Sequence, residues 1–204
     1  MNFNSNQYIR ELPDLSSATP NIKKLDLCEC RKLVKVPDYI GYLDKLESWD
    51  LRNCDELQIL PSCIAMKSLK YLRLFECHRV KRFPDIPQEL ENLKYLSLGY
   101  TAIRELPPSI ENLTGLERLD IGSSVYSCQL PSSIYKLQHL RQLSLYGNVK
   151  FPKDVGIAKQ AAVCNSYGGF THSEKCLLSG SKDLNLRKSI VRFNRLNWLL
   201  IHDS

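Results

Sequence analysis

No run of eighteen apolar residues occurs in the 204-residue sequence, so no segment reads as a membrane-spanning helix. The opening MNFNSNQYIRELPDL has no apolar core segment of the kind a secretory signal needs. No GxxxxGK(S/T) run occurs, so a phosphate-cradling loop is not expected. Eight cysteines would form a disulfide framework in a secreted chain; without a signal, reduced thiols are the expectation. With 43% hydrophobic and 25% charged residues the composition is globular, not disordered. The net charge of +6 is modest for a chain with 28 basic residues.

What is abundant is leucine, 33 of 204 residues, and it is periodic. The pattern LxxLxLxx(C/N/T) fits IKKLDLCEC from Ile22, LESWDLRNC from Leu46, LKYLRLFEC from Leu69, LKYLSLGYT from Leu93, LERLDIGSS from Leu116 and LRQLSLYGN from Leu140. Successive starts lie 24, 23, 24, 23 and 24 residues apart. A second ladder runs in step: Pro13, Pro37, Pro61, Pro84, Pro107, Pro131 and Pro152. Two phase-locked ladders define a leucine-rich repeat solenoid of the α/β class. Its parallel sheet lines the concave face, and irregular or short helical segments form the convex one.

Within one unit, Leu96 and Leu98 alternate with Tyr95, Ser97 and Gly99, a strand period with leucines inward. Ile103, Leu106, Ile110 and Leu113 supply the rest of the coil interior. Proline cannot donate a ladder bond and belongs outside the sheet. A buried Leu contributes roughly 1.5–3 kcal/mol, whereas ordering each backbone residue costs roughly 1–2 kcal/mol. A unit with about seven interior positions among about two dozen residues cannot stand alone, so stacking is obligatory.

The register assigns roles. Cys30, Cys54, Cys77, Thr101, Ser124 and Asn148 share the turn position after the strand, a structural ladder pointing inward. A metal site at Cys28 and Cys30 is disfavoured, because the two face different ways and zinc wants four converging ligands. Cys63 reads as structural; Cys128, Cys164 and Cys176 have no assigned role. The outward strand residues are candidate protein contacts: Asp50, Arg52, Tyr71, Arg73, Phe75, Tyr95, Arg118 and Tyr146. Tyr71 and Tyr95 read equally as contacts or as a cross-strand pair that stabilises the sheet. Asp26, Asp50 and Asp120 read first as solvated charges. Phe75 flanks Gly99, a gap beside an aromatic. His78, His139, His172 and His202 fall in different coil phases, and no nucleophile motif accompanies them, so no catalytic site is expected.

The domain reading follows. Residues 1–21 are a partial first repeat, starting at YIRELPDL, without a proper cap. Residues 22–152 hold six repeats. Residues 153–195 are a Gly/Ser-rich basic segment with a degenerate repeat around LNLRKSIVRF, and 196–204 are the strand of a last, cut-off repeat.

The segments ELPDLSSATPNIKKLDLCECRKLVKVP, LPPSIENLTGLERLDI and LPSSIYKLQHLRQLSL resemble the repeats of plant nucleotide-binding immune receptors carrying a TIR domain. Cys at the ladder position is typical of that class. The resemblance covers about residues 8–152. It implies a recognition and autoregulatory module for defence signalling, whose partner is a pathogen effector, a guarded host protein or the receptor's own nucleotide-binding domain. It implies a cytoplasmic or nuclear location and no cofactor in this chain. ADP or ATP is expected only on the nucleotide-binding domain of a full-length relative. Neither nucleic acid nor membrane is an expected partner, and the oligomeric state is open. A repeat-only fragment is the expectation; a scaffold outside immunity and an inert truncated product are the alternatives.

Overall fold

The computed structural model describes residues 1–15, 21–152, 192, 193 and 195–202. Seven strands form one parallel sheet in chain order: β1 (Lys24–Asp26), β2 (Ser48–Asp50), β3 (Tyr71–Arg73), β4 (Tyr95–Gly99), β5 (Arg118–Gln129), β6 (Gln142–Lys150) and β7 (Trp198–His202). Leu25, Trp49, Leu72, Leu96, Leu119, Leu143 and Leu199 meet as one register row, and all are buried. Neighbouring coils thus stack identical side-chain positions into one continuous core, the arrangement that makes each coil depend on the next.

The proline steps fall outside the sheet. Pro37, Pro107 and Pro131 each precede a short 3-10 turn, at Asp38–Tyr42, Pro108–Asn112 and Ser132–Lys136. In each, an inward isoleucine (Ile40, Ile110 or Ile134) anchors the turn to the core.

The first four coils turn sharply after their strands. Glu29, Asn53, Glu76 and Tyr100 adopt left-handed backbone, with φ of 57° to 63°. That conformation costs a non-glycine residue energy. Each of these amides donates to the next coil, to Arg52 O, Phe75 O, Gly99 O and Gly122 O at 2.8–3.0 Å, which offsets it. The following residue then points inward. The thiols of Cys30, Cys54 and Cys77 donate to Phe3 O, Leu27 O and Leu51 O of the preceding coil at 3.0–3.2 Å. Thr101 bonds instead to its own coil, at Leu98 O.

The ladder ends there. Asn148, assigned to it from the sequence, is exposed within β6. Ser124 lies in β5, and its side chain is outside the described residues. In these two coils the strand runs through the turn position: Gly147 keeps the left-handed backbone (φ 63°), yet β6 continues to Lys150 and leaves Asn148 outside the core.

The coil boundaries also differ from the sequence reading. Met1–Ser5 runs along the free edge of β1: Asn2 bridges Asp26, and the Phe3 and Ser5 amides donate to Asp26 O and Cys28 O at 2.8 Å. Ser5 repeats the left-handed turn (φ 58°), so the coil before β1 includes Met1–Ser5 as well as YIRELPDL. At the other end β7 pairs directly with β6, Gln142 opposite Trp198, so no strand of a further repeat stands between them. The segment between, with Cys164, Cys176, His172 and most of the expected degenerate repeat, lies outside the described residues.

Candidate protein-interaction surface

The strand residues that alternate with the core leucines form three rows across the sheet. One row holds Lys24, Ser48, Tyr71, Tyr95, Arg118 and Gln142. The next holds Asp26, Asp50, Arg73, Ser97, Asp120 and Ser144. In the third, Gly99, Gly122 and Tyr146 are register partners.

Tyr71 and Tyr95 are register neighbours, and the guanidinium of Arg73, two residues after Tyr71, joins them. Arg73 Cζ lies 5.2 Å from the Tyr71 ring centre and 5.7 Å from that of Tyr95. Arg118 lies over the same Tyr95 ring, at 4.6 Å. A guanidinium over a phenol face gains from the ring quadrupole and keeps its in-plane N–H groups free to bond elsewhere.

Buried carboxylates hold this array. Asp120, 2% exposed, accepts the Tyr95 hydroxyl at 2.6 Å and lies 3.4 Å from the Arg118 guanidinium. Asp50, 8% exposed, takes two-pronged bonds from Arg52 at 2.8–2.9 Å and faces Arg73 at 3.8 Å. The expectation of solvated aspartates is therefore wrong for Asp50 and Asp120. Their outward strand positions sit beneath long Arg and Tyr side chains from neighbouring strands, which take them out of water. Asp26, half-buried, accepts the Cys28 amide. Burial raises the Tyr95 hydroxyl above its ordinary value, and its bond to Asp120 raises it further.

Beside this array three rings meet over glycine. Phe75, in the turn after β3, and Tyr146, in β6, have two strands between them, yet their centroids are 5.7 Å apart. They meet because Gly99 and Gly122 leave the floor between them open: a Cβ on Gly99 would come within 2.9 Å of both rings. Tyr100 closes the group, 5.3 Å from Phe75 and 4.9 Å from Tyr146. Burial, with the nearby Asp120 charge, pushes the Tyr146 phenol up to about 12.

Of the eight candidate contacts, Arg52, Tyr71 and Arg118 are exposed and Arg73, Phe75 and Tyr95 half-buried. Asp50 and Tyr146 are buried, so they position neighbours rather than offer contact area. Tyr100 was missed. It occupies the turn slot filled by Glu29, Asn53 and Glu76 elsewhere, and an aromatic in that slot was the available signal. Cys28 is buried, its thiol pushed up to about 11 by burial and the Asp50 charge. Burial likewise pushes Cys30 up to about 11 and Cys128 up to about 12. Cys54 is raised by the neighbouring Cys77 thiol and by burial. Thiols so raised are poor nucleophiles. Cys63 sits 3.1 Å from the Tyr42 hydroxyl.

A charged rim borders the sheet at the strand starts. Lys23, Glu47, Lys70, Lys94, Glu117 and Arg141 follow one another along it, each amide bonded to the preceding carbonyl. Glu47 pairs with Lys70 at 2.8 Å and Lys23 at 3.4 Å, and Lys94 with Glu117 at 3.6 Å. Such exposed pairs contribute little stability. Four cations against two anions leave the rim positive. Among the described residues no helix is long and apolar enough to cross a membrane.

Residues 85–162 match a family model described as leucine-rich repeat region. The chain is 39% identical over 142 residues to the Arabidopsis thaliana protein suppressor of npr1-1, constitutive 1, covering 70% of this chain and 10% of that one. It is 39% identical over 131 residues to disease resistance protein RPS6 of Arabidopsis thaliana, covering 64% and 11%. It is 30% identical over 188 residues to TMV resistance protein N of Nicotiana glutinosa, covering 90% and 15%. The chain thus spans 10–15% of the length of these relatives. A leucine-rich repeat protein of Leptospira interrogans aligns over 74% of this chain and 49% of its own, at 19% identity and a TM-score of 0.35.

Proposed function

This chain is a leucine-rich repeat region similar to that of plant TIR-type nucleotide-binding disease resistance proteins, and from that premise we propose that it is the recognition and autoregulatory module of an intracellular plant immune receptor. The observation that carries the reading is the Tyr71–Arg73–Tyr95–Arg118 array. Tyr and Arg are the side chains that dominate protein interfaces, and here buried aspartates fix them in place before any partner arrives. The partner in this reading is a pathogen effector, a guarded host protein or the receptor's own nucleotide-binding domain. Nucleotide belongs to that other domain, and this chain works by binding rather than by catalysis.

Grafting tests it. The chain replaces the matching repeats of disease resistance protein RPS6 in leaf tissue. The wild-type graft should keep the receptor silent until it is triggered. A graft carrying Tyr71→Ala, Arg73→Ala and Tyr95→Ala should signal without a trigger or fail to respond to one. The isolated triple variant should still unfold in one cooperative transition, at a urea midpoint lowered by loss of the Tyr95 bond to buried Asp120. A triple-variant graft that behaves as wild type would remove the array from the function.

A further inference from the structure

We propose that the partner segment seated on this face is an extended acidic peptide, carrying carboxylates at alternate positions, bound by the Arg73 and Arg118 guanidiniums on either strand flank of Tyr95. The inference rests on the recognition reading above and adds the chemistry of the partner.

Charge placement is the first argument. The acidic and basic side chains of this face are nearly equal in number but not in exposure. The Asp50 and Asp120 side chains are 12% and 3% exposed, whereas those of Arg52, Arg73 and Arg118 are 47%, 28% and 47% exposed. A partner therefore meets guanidinium and phenol, with the carboxylates behind them. The positive rim at the strand starts extends the same sign. Residues 1–152 carry 20 Lys and Arg against 18 Asp and Glu, so the cationic character of this face is a local concentration, not a property of the whole surface.

Geometry is the second. Arg73 comes from β3 and Arg118 from β5, and both guanidiniums lie within 6 Å of one ring centre, that of Tyr95. Arg118 spends its contact with Asp120 at 3.4 Å, and Arg73 faces Asp50 only at 3.8 Å, beyond hydrogen-bond reach. Stacking on phenol faces leaves in-plane N–H groups to bond: those of Arg73 and, since Nε and Nη2 of Arg118 already reach Asp120 at 3.4 Å, the Nη1 side of Arg118. Such groups match carboxylate oxygens. In an extended chain, side chains two residues apart share a face at about 6.7 Å. Acidic residues at alternate positions therefore suit two guanidiniums flanking one ring. The aromatic group of Phe75, Tyr100 and Tyr146 continues the surface for the apolar residues of such a segment.

The full chain is titrated, by fluorescence anisotropy, with a labelled short peptide of alternating Glu and Ser. Its controls are the same composition arranged in two blocks, a Lys–Ser peptide of equal length and an oligothymidylate. The alternating acidic peptide should bind most tightly. Its Kd should rise about tenfold with Arg73→Ala or Arg118→Ala, and rise steeply with salt. Arg141→Ala, on the rim, should change it much less. Binding no tighter than the Lys–Ser peptide, or a Kd indifferent to both arginine substitutions, would overturn the proposal. So would an oligothymidylate that binds more tightly through the same arginines, because the face would then be a general polyanion surface. If the peptide fails while the triple-variant graft still alters receptor signalling, recognition stands and the acidic partner falls. If both tests fail, the two readings fall together.

Discussion

The coils carrying β1 to β4 and those carrying β5 and β6 obey the same leucine pattern and end differently. The first four have strands of three to five residues and a left-handed turn residue after each. Each then aims a Cys or Thr side chain at a backbone carbonyl inside the coil. In the next two, the strands run 12 and 9 residues, and pairing continues past the turn position to Cys128–Val149 and Gln129–Lys150 around an irregularity between Ser123 and Cys128. The last of these coils is short: Pro152 follows Pro131 by 21 residues, against 23 or 24 for the other steps. This coil keeps a left-handed residue at the turn slot, Gly147 (φ 63°), but with three residues fewer the strand pairs on through it to the proline step. Its neighbour β5 follows, because unpaired backbone groups beside it would cost energy. The leucine pattern alone therefore does not decide whether a strand stops at the turn slot or pairs beyond it.

That contrast can be broken most severely at Gly122. Its φ of +118° is one that side chains resist, and a Cβ there would sit 2.1 Å from Tyr146 O. Gly122→Val should cost about 3 kcal/mol or more, read as a drop in the urea midpoint, with loss of protection at the Leu130 amide that bonds Lys150 O. A subtler pair separates the two kinds of coil. Cys77→Ala removes a fully buried side chain and its bond to Leu51 O, and should cost about 1–2 kcal/mol by chemical denaturation. Asn148→Ala, at the same repeat position but exposed, should stay within about 0.5 kcal/mol. Equal costs would restore a ladder through all six coils.

The smallest effect is in alkali. The Tyr146 phenol is raised to about 12 by burial, from an ordinary value near 10. A group raised on folding contributes stability that is fully present below about pH 10 and is lost as pH rises through about 12. Urea midpoints across the alkaline range should fall less steeply for Tyr146→Phe, leaving the contribution of Tyr95, which is also raised. An unchanged slope would mean that the ring cluster over Gly99 is wet.

The rows of the exposed face were legible because a strand period of two and a repeat of 23 or 24 residues fix which residues become neighbours. Tyr71 beside Tyr95, and Phe75 beside Gly99, follow from that arithmetic alone. The fates of Asp50 and Asp120 did not, because burial of an outward residue depends on how far Arg and Tyr side chains from adjacent strands lean over it. Nor was the pairing of Met1–Ser5 with β1 legible: MNFNS carries no leucine of the repeat pattern, and only its hydrogen bonds to β1 identify it.

The sequence by itself determined the solenoid and its register, since periodic burial is a property of spacing. Only the tertiary structure decided which coils turn and which extend, which carboxylates are buried, and which rings meet across the glycines. Those outcomes depend on side chains reaching between coils, over distances that no single repeat encodes.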